Sequence, residues 1–298
     1  MKGKKKLEID VLNNVPNRVI KCLDQGFVSF VDTMPRLVPE EQKTSDFAIV
    51  QAARVSYGNG TKTVNEDRGL LRYLMRHTHT TPFEMVEFKF HMKMPIFVAR
   101  QIVRHRMASL NEVSGRYSVL KEEFYIPEME NVKKQSVLNK QGGDETLESK
   151  EAEIYLNKLK DFSDSSYDFY KENLVKEVSR EQARMVLPVN LYTEWYWKID
   201  LKNLLHFLCL RCDAHAQYET RVFADAILEL ITPIVPLTIE AWNDYQEYRG
   251  AIKLTRLEID ALKEAFKGEV KVPHINSDNK REKQEWKEKA AKLGLVVE

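Results

Sequence analysis

The chain has 298 residues, of which 43% are hydrophobic, so it can bury the core of one large domain or of two smaller ones. Its 46 basic and 45 acidic residues leave a formal net charge of +1, which excludes a global positive field able to hold a nucleic-acid polymer. No apolar run approaches the roughly 18–20 residues of a membrane span, and the basic N-terminus lacks the apolar segment of a secretory signal, so we expect no membrane partner.

The first third of the chain contains segments with the periodicity of strands and segments with the periodicity of helices. In chain order, the pattern predicts a strand or hairpin edge at 22–35, helices at 46–56 and 65–79, a strand at 86–94 and a helix at 95–107. Alternation of apolar and polar residues, clear at 86–94 and looser at 22–35, indicates the strands, and apolar residues three and four apart indicate the helices.

The middle of the chain continues with a strand at 116–127 and an exposed loop at 130–150, which is charged and contains two consecutive glycines. Helices at 151–175 and 179–187 follow, and an aromatic strand occupies 190–200. These elements do not alternate as regular βαβ units, so we expect an α+β fold with a largely antiparallel sheet flanked by helices.

The last third is predicted to contain a long helix at 201–230 and another at 237–247. Beyond these the chain is rich in lysine and glutamate, which is typical of a peripheral helix with a frayed end. We therefore divide the chain into an N-terminal tail (1–25), a main domain (26–250) and a charged C-terminal extension (251–298).

Residues 104–118, RHRMASLNEVSGRYS, form the densest cluster of polar donors and directly follow a helix that reads as packed. On that helix Gln101, Arg104 and His105 would share one face, whereas Arg106 would point about 160° away from Arg104. Either the helix ends before Met107, or the two arginines face different sites shared between subunits. The plain alternative is that these arginines pair with surface carboxylates.

This segment resembles the RHRxxSxNxxSxRYS signature of flavin-dependent thymidylate synthases, the ThyX family. The nine fixed positions of the signature are all met, by Arg104, His105, Arg106, Ser109, Asn111, Ser114, Arg116, Tyr117 and Ser118. The resemblance extends over about 26–247 and includes AARVS, HTTPFE, PIFVARQ, EQARMVLPVNLYT and LRCDAHAQYE.

The resemblance implies an enzyme that methylates dUMP to dTMP, with methylenetetrahydrofolate as carbon donor. It also implies FAD as cofactor, reduced by NADPH, and a homotetramer with active sites at subunit junctions. These expectations need no cysteine nucleophile, and the three cysteines give no disulfide framework and suit a cytoplasmic protein.

By the same resemblance, a set of residues is expected to bind the nucleotide, namely Gln101, Arg104, Glu112, Ser114, Gly115, Arg116, Arg184 and Arg211. A second set is expected to bind the flavin cofactor, namely Ser56, Thr81, Arg104, His105, Arg106, Glu112, Asp200, Lys202 and His206. Catalytic roles are expected for Arg211, His79 and Ser114.

Five of these residues carry alternatives or depart from the family pattern. His79 could simply be a histidine at a helix C-terminus, which the helix dipole favours. Arg211 is expected to polarise the uracil ring, but on an apolar helix face it could instead form a buried ion pair with a protein carboxylate. Asp200 and Lys202 stand where the family pattern has Asn-x-Arg, so their flavin contacts, and that of His206, depart from the pattern.

Other functions remain as alternatives. A flavoprotein of the same fold that binds FAD and nucleotide without synthase activity would explain the departures at Asp200 and Lys202. A zinc or redox site at Cys209-x-x-Cys212 is a weak alternative, because the sequence has no second pair of ligands. A nucleic-acid-binding module is also a weak alternative, because the sequence lacks both a large positive net charge and a binding motif.

Overall fold

The computed structural model describes residues 18–36, 44–55, 64–137, 142–245, 254–266 and 270–298. They belong to two compact units, Met1–Trp242 and Asn243–Glu298. The first unit has an antiparallel sheet with helices around it, so the predicted α+β class is confirmed.

A five-stranded antiparallel sheet forms the centre of the first unit, in the order β1-β2-β3-β7-β4. Its strands are β1 (Val19–Cys22), β2 (Gly26–Met34), β3 (Glu87–Pro95), β4 (Ala108–Glu112) and β7 (Tyr192–Asp200). Strand β7 pairs with β3 along one side and with β4 along the other, so β4 is an edge strand.

The helices of this unit are α1 (Asp46–Arg54), α2 (Val64–Arg76), α3 (Ile96–Ile102), α4 (Ser149–Val175), α5 (Arg180–Ala183), α6 (Leu201–Arg211), α7 (Tyr218–Ile231) and α8 (Pro236–Tyr245). Helix α6 contacts β7, and α7 contacts β1 and β2. Alternate residues of β3 and β7 point into this layer: Phe90 and Trp197 are buried, and the Trp197 ring lies 5.2 Å from that of Phe207 on α6. Burial of these aromatic rings supplies the main stabilisation of the layer.

A second apolar cluster lies under α4 and α5 and contains Phe124, Tyr167, Tyr170, Ala183 and Leu191. The hydroxyl of Tyr167 donates to the carbonyl of Leu120 over 2.8 Å, and the amide of Leu120 donates to the hydroxyl of Tyr170 over 3.2 Å. The chain that follows the signature is thus held by tyrosine hydroxyls.

Helix α8 is capped by a residue from far away in the sequence. The buried carboxylate of Asp46 accepts hydrogen bonds from the amides of Leu237 and Thr238, at 2.8 and 3.0 Å. These are among the amides that a helix N-terminus leaves unpaired, so Asp46 ties α1 to α8. Burial raises the pKa of this carboxyl group to about 6.

Several predicted elements differ from the observed ones. Strand β1 lies inside the predicted tail 1–25, because its backbone pairs with β2. No strand forms at 116–127, where tyrosine hydroxyls and one isolated bridge take backbone groups. Two short strands, β5 (Lys133–Gln135) and β6 (Gly143–Thr146), pair within the predicted loop 130–150.

The predicted long helix 201–230 is wrong, since α6 ends at Arg211 and α7 begins at Tyr218. Between them the carboxylate of Asp213 accepts from the backbone amide of His215 over 2.8 Å. Such a local bond competes with helical pairing and explains the break.

The second unit consists of short elements: α9 (Arg256–Ala265), β8 (Val270–Val272), α10 (Lys280–Lys292) and β9 (Leu295–Val297), with β8 and β9 paired in parallel. Its buried Glu282 accepts hydrogen bonds from the hydroxyls of Tyr245 and Ser277. The predicted charged extension, 251–298, therefore lies within a compact folded unit that begins at Asn243.

Among the described ranges, none of the helices has both the length and the apolar content needed to cross a membrane. The same ranges contain no group of three or more His, Cys, Asp or Glu side chains placed to hold a metal ion.

Candidate functional site

The signature begins where α3 ends. Helix α3 stops at Ile102, so the predicted helix to Met107 is wrong and Arg104 and Arg106 lie on the turn that leads into β4. Their relative direction therefore cannot be derived from helical spacing. Both side chains are exposed.

One group of predicted site residues meets at the end of α6. The Nε–H of Arg211 donates to Nε2 of His105 over 3.1 Å, and an Nη2–H donates to the carbonyl of Gln101 over 3.4 Å. These contacts bring together residues 106 and 110 positions apart in the sequence. We call Gln101, His105 and Arg211 the arginine cluster.

Two further residues, which sequence reasoning did not assign, hold the amide of Gln101. The hydroxyl of Thr220 donates to Oε1 of Gln101 over 3.1 Å, and Nε2 of Gln101 donates to Oε1 of Gln217. Gln217 falls within a segment that matches the family, but nothing local distinguishes Thr220, because the contact depends on tertiary packing.

The imidazole of His105 is packed as well as bonded. Its ring meets the ring of Phe207 edge to face at 4.9 Å, and His206 lies 6.2 Å away. Burial lowers the pKa of His105 to about 4, helped by the positive charge of Arg211 and by His206. Because Nε2 accepts a hydrogen bond, the ring is neutral and carries its proton on Nδ1.

Arg211 has no carboxylate partner in the described part of the chain, where its contacts are the ring nitrogen and the carbonyl just named. The alternative of a buried ion pair therefore finds no support there. A guanidinium has five N–H donors, so three remain for a ligand. Partial burial lowers the pKa of Arg211 from its usual value, which means that a charged partner would be poorly screened.

A second group forms where the signature ends, and we call Ser114, Gly115, Arg116 and Arg184 the loop cluster. A Cβ added to the buried Gly115 would lie 3.1 Å from Cδ of Arg184 and 3.0 Å from Leu120, so only glycine fits without displacing them. The guanidinium of Arg116 contacts Glu181 at 3.2 Å. A cleft of about 480 Å³ opens beside Arg116, between the loop and the N-terminus of α5.

The two clusters are separated by β4. Its five residues, at roughly 3.3 Å each, span about 16 Å. No hydrogen bond or ion pair within the described residues joins the arginine cluster to the loop cluster. The signature, read from the sequence as one site, thus contributes residues to two groups, one before and one after β4 in the chain.

Three arginines of the predicted site form no ion pair with any described residue: Arg104, Arg106 and Arg184. Exposed guanidinium groups that pair with no carboxylate of the described chain can bind the phosphate of a nucleotide and the pyrophosphate of a flavin dinucleotide. The donor set present therefore fits FAD and an anionic nucleotide.

The remaining predicted residues differ in their exposure and in their contacts. His79 is exposed, follows α2, and stacks edge-on with Tyr73 at 5.6 Å. Thr81 is exposed at the start of a short 3₁₀ helix, Thr81–Met85. Glu112 accepts a hydrogen bond from the hydroxyl of Thr193. Ser56 lies outside the described residues.

Asp200 and Lys202, which depart from the family pattern, form hydrogen bonds within the protein. Asp200 caps α6, with its carboxylate accepting from the backbone and side-chain amides of Asn203 at 3.0 and 2.7 Å. Lys202 donates to the side-chain oxygen of Asn203 over 3.2 Å, and His206 is exposed. Asp200 is thus committed to a helix cap, a role that requires no ligand.

Comparison with known proteins gives consistent results. Residues 36–237 match the family model described as "Thymidylate synthase complementing protein". A protein of Dictyostelium discoideum named "Flavin-dependent thymidylate synthase" is 54% identical over 280 residues, covering 94% of this chain and 89% of its own length. One of the same name from Rickettsia conorii is 47% identical over 297 residues, with 95% and 96% coverage.

A solved structure supports the fold. The UMP/dUMP methylase PolB from Streptomyces cacaoi, bound with 5-Br dUMP, superposes with a TM-score of 0.66 at 29% sequence identity. The match covers 76% of this chain and 97% of that protein.

Proposed function

The chain belongs to the family of flavin-dependent thymidylate synthases, and we propose that it converts dUMP to dTMP, with methylenetetrahydrofolate as carbon donor. FAD is the proposed cofactor and NADPH its reductant. The observation that carries the proposal is Arg211, which two protein contacts fix in place while three of its N–H donors have no carboxylate to bind.

In this proposal Arg211 faces the uracil ring of dUMP. Its positive charge polarises the ring and stabilises negative charge on it, which raises the nucleophilicity of carbon 5 towards the one-carbon donor, so no protein nucleophile is required. The bound flavin, once reduced, supplies the hydride. Gln101, held by Thr220, orients the same nucleotide, and His79 and Ser114 complete the proposed catalytic set.

The loop cluster is the proposed site of the nucleotide phosphate. Arg184 has no ion-pair partner among the described residues, and Gly115 lets the side chain of Arg184 pack closely against the loop. Glu112 borders this site. Arg104, His105, Arg106 and Thr81 are the proposed flavin contacts, with Ser56, Asp200, Lys202 and His206 as further ones.

We also propose that the enzyme is a homotetramer whose sites combine the arginine cluster of one copy with the loop cluster of another. The position of the two clusters on either side of β4, with no hydrogen bond or ion pair between them among the described residues, supports this. Helix α4 supports association in addition: Tyr155, Phe162 and Phe169 are exposed and recur every seven residues. This stripe is symmetric about Phe162, as an antiparallel contact between two copies requires.

Mixing two inactive variants tests the shared site. If Arg211→Ala and Arg184→Ala each abolish turnover, co-expression should restore activity in about a quarter of the sites of randomly mixed oligomers. Each variant expressed alone is the control. No recovery, together with a flavin-loaded monomer in light scattering, would contradict the shared-site arrangement.

Spectroscopy and complementation test the function itself. The purified protein should show a flavin absorbance spectrum that NADPH bleaches, and the gene should rescue a thymidine auxotroph. The second candidate, an inactive flavoprotein, is favoured only by the use of Asp200 as a helix cap. An inactive flavoprotein would show the flavin spectrum but would not rescue the thymidine auxotroph.

The proposed compartment is the cytoplasm. The three cysteines, Cys22, Cys209 and Cys212, form no disulfide in the described part of the chain, which supports a reducing environment.

A further inference from the structure

The contact between His105 and Arg211 assigns a role to the histidine that is separate from flavin binding. We propose that His105 is a positioning residue, whose neutral imidazole holds the guanidinium of Arg211 in the orientation needed at the reacting base. The proposal rests on the proposed function, since it concerns how Arg211 performs its part in dTMP formation.

Two contacts define the plane of the guanidinium. Nε2 of His105 accepts the Nε–H at 3.1 Å, and the carbonyl of Gln101 accepts from Nη2 at 3.4 Å. Both acceptors are on one side of the group, so the Nη1 donors and one Nη2 donor point elsewhere. An arginine side chain has several freely rotating bonds, and ordering it before the substrate binds removes that entropic cost from the catalytic step.

The acceptor in turn is held by packing. Phe207 is fully buried on α6 and meets the imidazole edge to face at 4.9 Å. Since Phe207 also packs against Trp197 at 5.2 Å, the ring is anchored to the central strand β7. The hydrogen bond therefore links Arg211 to the rigid core and not to another mobile side chain.

The histidine must be neutral to act in this way. A protonated ring would place an N–H opposite the Nε–H of Arg211, and two positive charges would lie in contact. The charged groups near the ring are Arg211 on α6 and the titratable His206 beside it, and both oppose protonation. Nδ1–H remains available, so contact with the flavin at that edge is compatible with positioning at Nε2.

A double-mutant cycle separates positioning from flavin binding. His105→Leu removes the acceptor, His105→Gln can restore one, and Arg211→Lys removes the Nε donor. We expect His105→Leu to lower kcat for dTMP formation about ten- to hundredfold and His105→Gln to recover most of that loss. In the Arg211→Lys background, His105→Leu should cause less than about a threefold further loss, because its effect passes through the arginine.

Flavin content and the rate of flavin reduction by NADPH are measured for each variant. If the losses in kcat at His105 and Arg211 multiply, or if glutamine recovers nothing, the positioning role is wrong.

The control variant is His274→Gln, at an exposed position of the second unit, which should leave turnover unchanged. Absence of dTMP formation by the wild type in this assay would instead refute the proposed function.

Nitrogen-15 spectra of the histidine rings provide a test that does not depend on turnover. In the wild type, His105 should show a protonated Nδ1 and an unprotonated, hydrogen-bonded Nε2 at neutral pH. Arg211→Lys should move the Nε2 resonance, whereas His274 should keep its shifts. A wild-type His105 that is protonated, or that carries its proton on Nε2, would overturn the proposal.

Discussion

Replacement of Arg211 by alanine should abolish most dTMP formation while the protein remains folded. The side chain makes two hydrogen bonds to neutral acceptors and none to a carboxylate among the described residues. Its removal therefore leaves no buried charge unpaired, and the penalty of about 3–5 kcal/mol for a broken buried ion pair does not apply. The expected loss in the free energy of unfolding is about 1–2 kcal/mol, a decrease in Tm of roughly 2–8 °C.

The effect on turnover should be larger. A charge-assisted contact that strengthens as charge develops on the uracil contributes about 1.5–3 kcal/mol, which is one to two decades in rate. Most of this should appear in kcat and little in the KM for dUMP, because the contact is strongest in the transition state. Flavin reduction by NADPH should proceed normally.

The assay combines thermal melting with dUMP-dependent turnover of Arg211→Ala and Arg211→Lys. Lysine should recover little, since it lacks the Nε donor that reaches His105. Arg256→Ala is a matched control, because that exposed arginine pairs only with Asp260 one turn away. A large fall in Tm with near-normal activity per folded molecule would mean that Arg211 is structural.

Four further results are expected. Replacement of all three cysteines by alanine should leave substantial dTMP formation, measured as steady-state turnover, because the site uses no cysteine nucleophile. Arg106→Ala should retain less FAD after gel filtration, since this exposed arginine has no ion-pair partner among the described residues. Asp46→Ala should lower the free energy of unfolding by about 1–3 kcal/mol in urea titrations, because the amides at the start of α8 lose their acceptor. The pKa of His105 is lowered from 6.5 to about 4 in the fold, so its contribution to stability should be complete above pH 6.5 and decline towards pH 4, and His105→Gln should flatten that part of the stability profile.

The sequence predicted the centre of the sheet well. Strand β3 alternates polar and apolar residues from Glu87 to Met94, and in β7 the buried Trp195, Trp197 and Ile199 alternate with more exposed residues, because one face is buried. Both strands were placed within two residues of their observed bounds. Strand β4 was missed because ASLNE has no such alternation: an edge strand with mostly exposed side chains is fixed by its backbone pairing to β7.

The arrangement of the proposed site could not be predicted from the sequence. The signature residues follow from their order in the chain, whereas the contact of His105 with Arg211 joins positions 106 residues apart and depends on how α6 packs. The break after Arg211 has no proline or glycine to announce it, since a carboxylate at Asp213 ends the helical pairing. Local sequence patterns report neither a contact between distant residues nor a helix end that is set by a side-chain hydrogen bond.

Because α6 ends at Arg211, this arginine belongs to the last turn of the helix, where the helix dipole is negative. Such an end can stabilise a cation through partial charges that belong to the backbone. No protein counterion has to be displaced when an anionic ligand arrives, and the full charge of the arginine stays available to it. A helix continued to residue 230 would bond the carbonyls of this turn internally and would remove this backbone contribution, so the break after Arg211 favours an arginine that can bind an anionic ligand.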